Sequence, residues 1–394
     1  MKKDIGFQDE VLDKIDVDSG QQQSASSYKR RVIELFEHAG ITVNGKQDYD
    51  IQVKDERFYQ RVLAQGSLGL GESFVDEWWD CNKLDVLFAK ISQAKLNHYA
   101  PHNVKLWLAS LEAKLFNFQL PETALDNASF HYNIGNDLFM AMLDKRLTYT
   151  CGYWKNALTL DEAQEAKLEL TCQKLHLEKG MRVLDIGCGW GSFARYAAEK
   201  YAVNVTGITL SSEQVKLGQQ LCSDLPITLE LKDYRDIRDK YDRIVSLGML
   251  EHVGSKNYNT YFQVVADCLE KDGLFLLHTI GNNISSPGTD PWLDKYIFPN
   301  SHIPALTEIL PAFENYFVLE DLHNFGGDYD TTLLAWHKNV SKHYDGLRKN
   351  YTKRFFRIWK YYLLSCAGLF RARQLQLWQM VFTKGRPGVY LSVR

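Results

Sequence analysis

The chain has 394 residues, enough for more than one domain and a large core, and its 45% hydrophobic and 24% charged residues are ordinary for a globular protein. A formal net charge of −3 supplies no global field for nucleic acid, so no nucleic-acid partner is expected. No apolar run reaches the roughly 18–20 residues that a spanning helix needs, and the opening MKKDIGFQDE lacks the apolar centre of an export signal. Any membrane contact is therefore expected to be peripheral.

Residues 1–27 are polar and read as a loosely ordered arm. From Tyr28, Val32, Leu35, Phe36 and Ala39 fall at helical spacing before Gly40, a helix stop. Ile41–Val43 and Ile51–Val53 flank Asn44-Gly45 and predict a hairpin. Further helical patterns, including GSLGLGESFVDEWW (Gly66–Trp79), assign 28–125 to a small, mainly helical N-terminal domain, bounded near Gln119-Leu120-Pro121. The aromatics of that word read more readily as core than as ligand contacts.

From 126 to 394 short apolar strands alternate with helices. Strands are expected at Arg182–Asp185, Asn204–Thr209, Thr228–Lys232, Arg243–Leu247, Leu274–His278, Phe317–His323 and Leu377–Phe382, with helices such as Ser192–Tyr201 and Ser211–Cys222. The fold class is α/β: a doubly wound, Rossmann-like parallel sheet whose ligand crevice lies at the carboxyl ends of the strands. The seven cysteines (Cys81, Cys151, Cys172, Cys188, Cys222, Cys268, Cys366) are odd in number and form no CxxC pair. That pattern suits a reducing cytoplasm and argues against disulfides or structural zinc.

The sharpest local signal is Val183-Leu-Asp-Ile-Gly-Cys-Gly-Trp-Gly191. A buried strand ends at Asp185, and Gly187, Cys188, Gly189 and Gly191 form a tight turn into a helix, with glycines where a side chain would hold a ligand off the backbone. A glycine-spaced loop also fits nicotinamide or flavin sites. Here the acid precedes the first glycine and GxGxxG spacing is absent, which favours S-adenosylmethionine, with Asp185 at its amino-acid end. Thr209, Leu210 and Gln214 follow the second strand, where ribose hydroxyls lie in this fold. Asp233-Tyr234 follow the third and offer a carboxylate and a ring for adenine.

The sequence resembles cyclopropane-fatty-acyl-phospholipid synthases over nearly its whole length. The matching words are GSLGLGESFVDEWW, HYNIGNDLF (His131–Phe139), YTCGYW (Tyr149–Trp154), LDIGCGWG, GMLEHVG (Gly248–Gly254), LLHTIG (Leu276–Gly281), DPWLDKYIFPN (Asp290–Asn300), HNFGGDYDTTL (His323–Leu333) and CAGLFRAR (Cys366–Arg373). Mycolic-acid cyclopropane synthases look similar over the catalytic part but lack a comparable N-terminal domain. The resemblance implies a class I methyltransferase fold, bicarbonate in the active site, unsaturated membrane phospholipids as substrate and a homodimer at the inner face of the cytoplasmic membrane. Carried over by position, the bicarbonate holders are Cys151, Glu251, His278, the backbone of Ile280, and Tyr329; Tyr149 and Thr150 flank the methionine end of the donor. Cys366 matches a family cysteine treated as a candidate active-site residue and ranks below Cys151. Asn133 departs from the family, where Asp is frequent.

Such residues suit the chemistry. An alkene is a poor nucleophile, so a sulfonium methyl must drive attack, and the resulting carbocation needs only a weak, well-placed base and a dry site. Glu251 could accept the bicarbonate hydroxyl while His278, Tyr329 and the Ile280 amide donate; Tyr132, Tyr149, Tyr153 and Trp154 could shield a cation. Each has a structural alternative: Cys151 or Cys366 as packing, Glu251-His252 as a helix cap, His278 as a core histidine, Tyr329 as loop cover. Lys338–Arg373, rich in Lys and Arg with interleaved aromatics, reads either as a basic membrane-surface helix or as a helix packed on the sheet. The rival functions are methyl transfer to a small amine or phenol, and a catalytically silent lipid-binding protein.

Overall fold

The structure, a computed structural model, describes residues 21–96, 135–286, 288–385 and 387–394. The expected boundary at Gln119–Pro121, Tyr132 and Asn133, and most of the polar arm, lie outside the described residues.

Helix α1 (Gln21–His38) buries Val32 and Phe36 at the expected spacing, and Gly40 follows it at φ +65°. It begins before Tyr28, because the Gln- and Ser-rich run continues the helix. The predicted hairpin does not form. Asp50 accepts from the amides of Thr42 and Gln47 at 2.8 and 2.9 Å, and Asn44 Oδ1 accepts from Val53 N at 2.8 Å. Side chains thus satisfy the loop's backbone in place of a strand ladder. Of that segment, β1 (Gln52–Val53) pairs instead with β2 (Trp79–Asp80), across helices α2 (Arg57–Gln65) and α3 (Ser67–Val75). Helix α4 (Leu84–Gln93) follows.

Beyond residue 134 come α5 (Asn136–Met142), α6 (Leu160–Lys174), β3 (Arg182–Ile186), α7 (Ser192–Tyr201), β4 (Asn204–Thr209), α8 (Ser212–Leu221), β5 (Ile227–Leu231), β6 (Tyr241–Leu247), α9 (Tyr258–Cys268), β7 (Leu269–Asn282), α10 (Pro291–Tyr296), α11 (Leu306–Phe313), β8 (Val318–Asn324), α12 (Gly327–Lys342), α13 (Tyr344–Leu347), α14 (Lys353–Arg371) and β9 (Leu375–Thr383). The seven-stranded sheet has the order β5-β4-β3-β6-β7-β9-β8. Strands β3 to β7 are parallel, and β9 runs antiparallel between β7 and β8. The reversal follows from where α14 ends. Asn283 Nδ2 donates to the Arg373 carbonyl at 2.8 Å and Asn324 Nδ2 to Gln376 Oε1 at 2.9 Å, so the chain enters β9 beside the carboxyl ends of β7 and β8.

The basic segment is not one helix. It divides into the end of α12, α13, and α14, whose Thr352 cap accepts from Phe355 N at 3.2 Å. On α14, Phe355, Trp359, Leu363 and Ala367 are buried. Its cations meet acids: Lys353 reaches Glu77 at 2.7 Å, Arg354 reaches Asp76 at 2.6 Å, and Arg371 reaches Asp85 and Asp330 at 2.7 and 2.9 Å. Arg357 donates to the Phe74 carbonyl at 2.6 and 2.8 Å. The helix is packed, as the second alternative has it, but chiefly against α4 and α12 rather than on the sheet.

These contacts seat the N-terminal helices on the rest. Phe74 and Phe88 pack on Tyr361 at 5.5 and 5.2 Å between ring centroids. At Gly368 an added Cβ would lie 2.5 Å from the Asp85 carbonyl, so α4 and α14 approach closely only over a glycine. Glu72 is buried where α3 meets α10. It accepts from Lys295 and the Tyr296 hydroxyl at 2.7 and 3.1 Å and is gripped by Arg61.

Candidate active site

At the carboxyl end of β3 the chain turns through Gly187, Gly189 and Gly191 at φ +84°, +55° and +77°, a region that L side chains avoid. The Gly187 and Cys188 amides both donate to the Ile208 carbonyl, at 2.9 and 3.0 Å, and pin the turn to β4. Cys188 packs with Cys222 and Leu229. A Cβ on Gly189 would meet nothing within 4 Å, so this backbone faces open space. Beside it Asp185 is 1% exposed, and its Oδ2 has no partner. Burial pushes its carboxyl up to about 7, with Lys167 acting against the rise. An orphaned acid at an open glycine turn fits the ammonium of an amino-acid moiety.

The next strand ends are more closed. The buried Thr209 hydroxyl donates to Gln214 Oε1 at 2.7 Å, and Leu210 is half-buried next to it. Asp233, expected to be open to adenine, is held by Arg235 through Nε and Nη2 at 2.8 and 2.7 Å. Tyr234 is buried edge-on against Tyr261 at 5.4 Å rather than offering an open ring. Arg235, adjacent in sequence, engages both: its guanidinium also sits 5.2 Å from the Tyr234 ring centre.

Opposite this turn lies a buried polar stripe on α6, where Gln164, Lys167, Thr171 and Lys174 are each 0% exposed. Gln164 Nε2 donates to the Thr150 carbonyl at 2.7 Å, and Lys167 Nζ to Thr150 Oγ1 at 2.8 Å. Burial lowers the Lys167 ammonium to about 8, against the fields of Asp144, Cys151 and Asp185. Tyr149 packs on Phe139 and Trp336 at 5.3 and 5.1 Å, and its hydroxyl lies 2.9 Å from that of Tyr362.

Cys151 is fully buried. Its thiol lies 3.2 Å from the Gly152 carbonyl and 3.9 Å from Thr332 Oγ1. Burial first, then Asp328, holds it well above the usual thiol range, so it is a neutral S–H group. Glu251 lies on a short turn after β6 and caps no helix. Its Oε1 accepts from the Ile280 amide at 2.7 Å, and Oε2 is buried without a partner. The Ile280 amide, expected to face an anion, is thus bonded to Glu251. Burial raises the Glu251 carboxyl to about 7, the Ile280 amide opposing.

His278 is 1% exposed with Nε2 unpartnered, and burial, then Lys167 and Lys174, hold its basicity well below the ordinary value. Tyr329 packs on Phe370 at 4.5 Å. Its phenol is raised by burial and then by the fields of Cys151, Glu251, Tyr149 and Cys366, which brings these residues into one neighbourhood. Cys366 on α14 is buried and pushed up to about 12 by burial, then by Asp290. The residues not anticipated are Gln164, Lys167, Thr171 and Lys174 of the stripe, Gln379, which lies 2.9 Å from Lys174, Thr332 and Arg235. Four polar residues recurring every three or four positions within the apolar face of α6 were the available signal for the stripe.

The mycolic acid cyclopropane synthetase family model matches residues 119–380. A cyclopropane-fatty-acyl-phospholipid synthase of Escherichia coli K12 is 51% identical over 352 residues, 89% of this chain and 92% of that protein. The chain belongs to the cyclopropane-fatty-acyl-phospholipid synthase family. It is an enzyme of the methyltransferase class, and its sheet is the Rossmann-like class I fold. The cyclopropane synthase MmaA2 from Mycobacterium tuberculosis superposes with TM-score 0.63 at 29% identity, covering 66% of this chain and 98% of its own. Mycolic acid cyclopropane synthase CmaA1, complexed with SAH and CTAB, gives 0.62 at 30% identity over 66% of this chain and 98% of its own. The match to the Escherichia coli protein covers more of this chain than either mycolic structure does.

Proposed function

We propose that the chain adds a methylene unit from S-adenosylmethionine to the cis double bond of unsaturated acyl chains in membrane phospholipids, forming cyclopropane rings. The carrying observation is a set of buried polar atoms without partners: Asp185 Oδ2 at the glycine turn, and Glu251 Oε2 and His278 Nε2 in the same site. Such atoms cost free energy unless a polar ligand completes them. The name of the Escherichia coli relative supplies the substrate class, and the SAH in the CmaA1 complex supports the donor.

Asp185 and the loop from Gly187 to Gly191 hold the donor's amino-acid end, with Tyr149 and Thr150 flanking it and Thr209, Leu210 and Gln214 at the ribose. Asp233 and Tyr234 remain candidates for the adenine end, the former only with Arg235 rearranged. The alkene π pair bonds to the donor methyl carbon while the S–C pair stays on sulfur, leaving S-adenosylhomocysteine. The substrate carbocation then loses a proton from the new methyl, and that C–H pair closes the ring. Bicarbonate, when bound, supplies a weak base for this proton. Glu251 Oε2 would accept its hydroxyl, His278 Nε2 and Tyr329 would donate to it, and the Cys151 thiol would border it. Ile280 reaches it directly only by sharing its amide with Glu251, and otherwise acts by orienting that carboxylate. Protonated Cys366 supports this wall by packing.

No described helix is long and apolar enough to cross a membrane. The acyl chain is reached by peripheral attachment at the cytoplasmic face, and the resemblance supports a homodimer. Lipid mass spectrometry of cells expressing the chain tests the reading. One added CH2 per unsaturated acyl chain, resistant to hydrogenation, is expected. Methylated head groups, or no change, would refute it.

A further inference from the structure

His278 donates to a bound oxyanion only if its ring proton sits on Nε2, and three hydrogen bonds on the far side of the ring decide that. Gln379 is fully buried directly opposite His278 in the β7–β9 register, so both side chains share one face. Lys174 Nζ lies 2.9 Å from Gln379 Oε1 and 3.7 Å from Asp321; burial lowers its ammonium to about 7 against the field of Asp321, and in that ammonium form it can only donate. The Thr171 hydroxyl gives its single hydrogen to the Lys167 carbonyl at 2.8 Å, so its oxygen must accept from Gln379 Nε2 at 3.2 Å. Both contacts orient the amide the same way and turn its second N–H to His278 Nδ1, 3.3 Å away. Nδ1 accepts, so the proton is left on Nε2, the atom without a partner.

We propose that Gln379, oriented by Lys174 and Thr171, is a positioning residue that holds His278 as the Nε2–H tautomer. The consequence for catalysis rests on the reading of His278 as a donor to a small oxyanion; the tautomer itself does not. Gln379→Glu keeps the shape and replaces the donor with an acceptor, drawing the ring proton to Nδ1. Gln379→Met keeps the volume, offers no donor and frees the ring to populate both tautomers.

The test is 15N NMR of ring-labelled histidine in the full-length wild type and both variants, with turnover measured against bicarbonate and S-adenosylmethionine separately. Expected is Nε2–H in the wild type, and Nδ1–H or a doubly protonated ring in Gln379→Glu. Turnover should fall about 10–100-fold, with KM for bicarbonate raised and that for the methyl donor unchanged. A wild-type ring protonated on Nδ1 alone would overturn the proposal, as would two folded variants that keep the wild-type tautomer. A switched tautomer with unchanged turnover would support Gln379's control of the ring and instead refute the donor role of His278.

Discussion

At the scale of single residues, the site consists of groups whose charge states are set by burial. With no ligand, burial pushes the Asp185 carboxyl up to about 7, so the folded protein binds that proton more tightly than the unfolded chain does. Its contribution to stability is full below the ordinary 3.8 and is lost as pH rises through about 7. The ammonium end of the methyl donor favours the ionised form, so donor affinity should increase with pH through the same range. Titration calorimetry in buffers of different ionisation enthalpy should show proton release on binding at pH 6. Asp185→Asn should weaken donor binding by at least 10-fold, in keeping with the loss of a charge-assisted hydrogen bond.

Glu251 gives the second case, with its carboxyl raised to about 7 and one oxygen already bonded to Ile280. The carboxylate is the form that accepts a hydroxyl hydrogen, so turnover should rise with pH through about 7. Glu251→Gln should lower turnover by about 10²–10⁴-fold without lowering the melting temperature, and rate profiles beside thermal melts check both.

At the scale of elements, the sheet was legible in the sequence and the wall behind the site was not. Strands β3 and β4 and helix α7 follow from apolar runs and their turn residues, because local patterning and final burial agree there. The α6 stripe interrupts an apolar face without saying what it meets, until the fold shows Lys167 buried at Thr150 and Lys174 buried at Gln379. Gln379 sits inside LQLWQMVFT, and its meaning depends on a β7–β9 register no local pattern reveals. The N-terminal hairpin failed for the converse reason: Asp50 and Asn44 side chains bond the turn's amides, a single backbone bond from Asn44 N to the Ile51 carbonyl joins the two arms, and the second arm pairs with β2 instead. The approach of α4 to α14 yields a further prediction. Gly368→Ala places a Cβ 2.5 Å from the Asp85 carbonyl and should cost about 1–3 kcal/mol in chemical denaturation.

At the scale of the whole molecule, the N-terminal helices, α10 and α14 share one buried cluster with Cys151 and Tyr329, so the N-terminal part packs into the same core as the candidate site. The Lys and Arg residues of α14 that pair with Asp76 and Glu77 in the turn after α3 and with Asp80 of β2 serve this seating. The central claim is that a sulfonium methyl becomes a ring methylene on an acyl alkene, losing one hydrogen on the way. The most direct measurement supplies purified enzyme with S-adenosylmethionine deuterated in its methyl group, bicarbonate and vesicles of unsaturated phospholipid, then weighs the acyl product. The account predicts a ring carbon carrying two of the three deuterons, the third lost to solvent. Retention of all three, as in plain methyl transfer, or no label in the acyl chain would contradict it.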